Sequence, residues 1–82
     1  MVWKLLYKHQ INKSKRPWLA YVVPKNLISV ACEFDPDGKL IDFEALAKHD
    51  DGTTYLLDTH NFDRHECEAL GHECREFGTD VS

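Results

Sequence analysis

Residues 65–78 read HECEALGHECREFG, two copies of a seven-residue phrase in which each copy carries a His-x-Cys pair. His65, Cys67, His72 and Cys74 have the donor types of a tetrahedral zinc site, with bonds of about 2.0–2.3 Å. An extended backbone would set each His and its Cys on one face and favour such a site. A helix does the opposite. At about 100° per residue, Cys67, Leu70, Cys74 and Phe77 fall within a stripe of roughly 80°, and His65 and His72 lie on nearly the other side.

The signals at both ends of the stretch favour the helix. Asp63 is a good N-cap, Glu66 completes a capping box, Phe62 and Cys67 are placed for a hydrophobic staple, and Gly78 stands where a C-terminal glycine belongs. Residues 64–77 are therefore predicted helical, with the sulfurs toward the core and the imidazoles toward water. The expected metal set is none, and zinc on those four residues is the alternative. Seven helical positions separate Cys67 from Cys74 by about 10 Å, beyond disulfide reach.

Other chemistry is weaker in the sequence. EFDPDGKLIDFE puts Asp35, Asp37, Gly38, Leu40 and Glu44 at positions of a calcium loop, but Glu33 stands first and Pro36 lies inside it. The same residues make a hairpin turn: Pro36 presets its second position, Asp37 fits the third, and Gly38 takes the left-handed conformation. A catalytic thiol needs a nearby imidazole in an electropositive pocket, yet Cys32 sits on an apolar strand face and the other two cysteines turn inward. His9, His49 and His60 are scattered and read as surface groups rather than ligands. The four glycines form no phosphate-cradling loop. No enzymatic activity and no cofactor are expected.

The elements that must position these residues follow from periodicity. VWKLLYKH alternates Trp3, Leu5 and Tyr7 with Lys4, Leu6 and Lys8, as a half-buried strand does. NKSKRP reads as a loop, and WLAYVV, rich in aromatic and β-branched types, as a second strand closing an N-terminal hairpin. LISVACEF is a third strand with Ile28, Val30, Cys32 and Phe34 on one face. LIDFEALAK has the composition of a helix, but the turn before it and its alternation predict a strand. HDDGT is a turn and TYLLD a fifth strand. The expectation is a single α+β domain over residues 1–82: an antiparallel sheet of about five strands within 1–61, packed against one C-terminal helix at 62–78, with 79–82 as a tail.

Charge bears on partners. The net charge is −4, but residues 1–32 hold Lys4, Lys8, Lys13, Lys15, Arg16 and Lys25 and no acid, whereas all fourteen acids fall in 33–82. The opening MVWKLLYKHQ has too few apolar residues for a signal-peptide core, and no run is long enough to span a membrane. With an odd three cysteines, the expectation is reduced thiols and a cytoplasmic location. The leading functional expectation is a small non-catalytic module binding a protein partner through an acidic helix surface of Glu66, Glu68, Glu73 and Glu76, or through a free sheet edge that would also allow a homodimer. The alternative is RNA or single-stranded nucleic-acid binding by Lys4, Lys8, Lys13, Lys15 and Arg16 beside Trp3, Tyr7, Trp18 and Tyr21. A third reading turns Trp3, Tyr7 and Trp18 inward against the helix and pairs the lysines across the sheet with Asp42 and Glu44.

Overall fold

The computed structural model describes residues 2–13 and 15–81. In chain order it contains β1 (Val2–Tyr7), α1 (Lys8–Asn12), α2 (Leu19–Val22), β2 (Leu27–Phe34), β3 (Leu40–Lys48), β4 (Thr54–Leu57), a 3-10 turn (Thr59–Asn61), α3 (Arg64–Phe77) and β5 (Thr79–Asp80). The strands form one antiparallel sheet in the order β4-β3-β2-β1-β5. The fold class is the predicted α+β arrangement, a five-stranded antiparallel sheet with a C-terminal helix packed against it.

Local chemistry explains the β2–β3–β4 meander. The Asp35 carboxylate accepts the N–H groups of Asp37 (3.0 Å) and Lys39 (2.8 Å), and Gly38 adopts φ 83°. The residues that resembled a calcium loop therefore close a hairpin turn on themselves. At the next turn Gly52 adopts φ 95°, and the Asp51 carboxylate accepts the hydroxyl (2.7 Å) and N–H (2.9 Å) of Thr53. Those two donors hold the Asp51 carboxyl below its ordinary range. Between the turns, residues 40–48 are a strand, as their alternation predicted.

The N-terminal hairpin does not form, because Leu19–Val22 is helical and β1 pairs with β2 instead. Pro17 and Pro24 bracket this stretch, and short-range bonds close it: the N–H of Leu19 reaches Arg16, Ala20 reaches Pro17 and Tyr21 reaches Trp18. Leu19 and Val23, four apart, are both buried, while Tyr21 between them is 91% exposed. That is helical spacing; in a strand all three would share a face. The fifth strand comes from the expected tail, where Thr79 and Asp80 pair with Leu5 and Lys4.

α3 begins as predicted, with the Asp63 N–H donating to the Glu66 carboxylate (2.8 Å). Phe62 stands edge-on to Phe43 at 5.5 Å between ring centroids and packs against the core. The inward stripe is shifted from the expected one. Leu70 and Cys74 are fully buried, but Ala69, Gly71 and Glu73 join them, Cys67 is only partly buried, and Phe77 is 44% exposed. The helix ends at Gly78 for a reason other than a left-handed cap, since its φ is −69°. A side chain there would run into the Cys74 carbonyl and meet the Lys4 Cβ at 3.1 Å, so glycine is what lets α3 turn directly into β5. Among the described residues no helix is long and apolar enough to cross a membrane.

Candidate interaction surface

The strand register assigns each side chain to one of two faces. Val2, Lys4 and Leu6 on β1 stand opposite Phe34, Cys32 and Val30 on β2, and with Phe43, Ala45 and Ala47 on β3 they form the face that α3 covers. The intervening residues make the other face: Trp3, Leu5 and Tyr7; Ser29, Ala31 and Glu33; Asp42, Glu44 and Leu46; and Leu56 on β4. Among the described residues every helix packs on the first side. The second side is a bare sheet surface.

Its chemistry is sorted in rows across the strands. Tyr7, Leu46 and Leu56 lie in one row with the buried Ser29, and Tyr7 is 43% and Leu56 62% exposed. Leu5 and Ala31 lead to Glu44, and Trp3 leads to Glu33 and Asp42, which face each other directly across β2 and β3. Among the described residues none of these three carboxylates enters an ion pair. Among the described residues their one hydrogen bond comes from the Phe43 N–H, which donates to Asp42 (2.8 Å). Like charges placed opposite one another in a sheet destabilise it, by roughly 0.2–1 kcal/mol per pair.

The acidic helix surface expected from Glu66, Glu68, Glu73 and Glu76 is not a single surface. Glu73 is fully buried, and its Oε1 accepts from Arg16 Nη1 at 2.6 Å. Glu66 caps the first turn, Glu68 pairs with Arg64 at 3.2 Å, and Glu76 is left exposed. The basic set also disperses. Lys4 lies on the α3 side, where its Nζ donates to the Arg75 carbonyl (3.2 Å) and pairs with Asp80 (3.4 Å), so it cannot neutralise Asp42 or Glu44 on the other face. Lys8 donates to the Lys25 carbonyl and Arg16 is joined to Glu73, leaving Lys13 and Lys15 exposed. Trp3 and Tyr7 do not turn inward against the helix but lie on the bare face, and Trp18 packs against His65 at 5.4 Å.

His65, Cys67, His72 and Cys74 diverge as helical geometry requires. Both histidines are exposed, and the Cys74 thiol donates to the Lys4 carbonyl at 3.3 Å beneath the helix. Among the described residues no three His, Cys, Asp or Glu side chains gather where a metal ion could be held. His72 lines a shallow depression of about 90 Å³ with Leu40, Glu68, Gly71 and Arg75, far below the size of a small-molecule site.

The carboxylates of the bare face were missed at the sequence level, although their signal was present. Asp42 and Glu44 alternate with Phe43 and Ala45, and Glu33 alternates with Cys32 and Phe34. What alternation could not supply was the register that sets Glu33 against Asp42, or the absence of a second helical layer above them. Comparison with models of protein families, with curated proteins and with solved structures gives no match.

Proposed function

We propose that this chain is a non-catalytic interaction module that binds a basic, partly apolar protein surface across the bare face of its sheet. The supporting observation is that Glu33, Asp42 and Glu44, which enter no ion pair among the described residues, stand beside Trp3, Leu5, Tyr7, Leu46 and Leu56. In the free chain these acids repel one another. A cationic partner turns that repulsion into attraction, while the leucines and aromatics supply the area removed from water. Phosphates would be repelled by the same three groups, which disfavours a nucleic acid on this face.

The test combines binding and stability. An amphipathic peptide of lysine and leucine should bind the chain, with an affinity that weakens as salt is added. Reversal to E33K/D42K/E44K should weaken it about tenfold or more. Changing the exposed helix acids Glu68 and Glu76 to lysine should leave it within a factor of about two. In the absence of peptide, Glu33→Gln or Asp42→Asn should stabilise the chain by roughly 0.2–1 kcal/mol in urea unfolding. Equal binding by the reversed variant, or preferential binding of a single-stranded oligonucleotide, would overturn the reading.

A further inference from the structure

We propose that Cys32 and Cys74 are a redox pair, closed by a two-electron thiol oxidant into a disulfide that staples α3 to the middle of the sheet. The placement rests on three strands of geometry. Cys32 points from the centre of β2 toward α3, and its partner across β1 is Lys4. Cys74 points down from α3 and donates its thiol to the carbonyl of that same Lys4 at 3.3 Å. Partners across an antiparallel pair have Cα atoms about 4.5–5.5 Å apart, so Cys74 is seated over the pair that contains Cys32. The two thiols are therefore neighbours in the layer beneath α3, and both are fully buried.

The third cysteine differs. Cys67 is partly buried near the start of α3, its nearest polar contact is the Thr59 carbonyl at 3.9 Å, and its thiol is raised by burial and by Glu66 and Asp63. The hydrogen bond between the paired thiols, and then burial, pushes Cys32 up, while the same bond draws Cys74 down against its burial. Cys74 lies on the helix and Cys32 in the middle of the sheet, so Cys74 is the sulfur uncovered first when the helix moves. Access to it requires only the C-terminal end of α3 to lift. That end is held by hydrogen bonds from Lys4 to the Arg75 carbonyl (3.2 Å), from Gln10 to the Phe77 carbonyl (2.9 Å) and from Arg75 to the Gly38 carbonyl.

With hydrogen peroxide as oxidant, the Cys74 sulfur attacks one peroxide oxygen. An S–O bond forms, the O–O bond breaks, and the thiol proton leaves with the departing hydroxide as water. The Cys32 sulfur then attacks the Cys74 sulfur. An S–S bond forms as the S–O bond breaks, and the Cys32 proton leaves with that hydroxide as a second water. Two thiols and one peroxide become one disulfide and two waters.

The experiment treats the whole folded chain with hydrogen peroxide, blocks the remaining thiols, and maps peptides without reductant. Expected are a mass loss of about 2 Da before blocking, a Cys32–Cys74 cross-linked peptide and a free Cys67. The thermal midpoint should rise by about 10 °C, because the bond closes a long loop, and dithiothreitol should reverse both changes. Cys67→Ser should preserve the cross-link, and Cys32→Ala or Cys74→Ala should abolish it. If either alanine variant fails to fold, the map of the Cys67→Ser chain decides. Oxidation confined to Cys67, over-oxidised sulfurs without a cross-link, or unreacted Cys32 and Cys74 in the folded chain would overturn the proposal.

Discussion

Alanine in place of Phe43 is expected to bring the chain to the edge of unfolding. The side chain is 1% exposed, stands beside Cys32 of β2 on the face that α3 covers, and meets the edge of Phe62 at 5.5 Å. Removing a buried aromatic costs about 3–5 kcal/mol, from lost transfer energy and from a cavity that neighbours fill only in part. The lost ring contact with Phe62 falls within that range. A domain of this length has a stability on the order of 4–12 kcal/mol, so one substitution removes about a quarter or more of the total. Urea unfolding followed by tryptophan fluorescence measures it, with Tyr21→Ala at a 91% exposed site as a control within about 0.5 kcal/mol of the parent. A Phe43→Ala midpoint indistinguishable from that of the control would place the core elsewhere.

The second large effect is expected at Arg16. Its side chain is 34% exposed, whereas the Glu73 side chain it pairs with is fully buried, and among the described residues Glu73 Oε2 has no hydrogen-bond partner. Arg16→Ala leaves a carboxylate enclosed between α2 and α3. Stranding one member of a buried pair typically costs 3–5 kcal/mol, and the partial exposure of Arg16 argues for the lower end, about 3 kcal/mol. Replacing both members, as Arg16→Ala with Glu73→Met, should recover most of that loss, because an apolar side chain carries no desolvation penalty. Denaturant unfolding of the two single variants and the double variant closes the cycle. A loss below about 1 kcal/mol for Arg16→Ala alone would show that the ion pair does not hold the segment before α2 against α3.

These two residues also mark where the sequence was legible. Phe43 was readable, since alternation in LIDFEALAK puts it opposite Asp42 and Glu44, and the Pro-Asp-Gly turn before it sets the direction of the strand. Glu73 was not. Charge alone assigns a glutamate to water, and its burial depends on Arg16, far away in sequence on a stretch read as a loop, just ahead of residues misread as a strand. That misreading followed residue type over spacing: WLAYVV has strand composition, but two prolines and the buried pair Leu19 and Val23 make it one short helical turn. The helix at 64–77 was legible because its N-terminal cap is written in adjacent residues. The bare face was not, because nothing local states how many layers cover a sheet.

The strand order β4-β3-β2-β1-β5 distributes the entropy of closure unevenly. β2, β3 and β4 meet through short turns, whereas β5 reaches β1 from nearly the whole length of the chain away, for a ladder of only two residue pairs. Contacts of high sequence separation cost the most chain entropy and gain least when the ladder is short. The β1–β5 seam is therefore the first place the native state opens, and amide hydrogen exchange should be faster at Thr79 and Asp80 than at Val30 and Ala45 by orders of magnitude. Lys4, whose carbonyl receives the Cys74 thiol, lies on that seam, so the weakest join in the sheet borders the buried thiol pair.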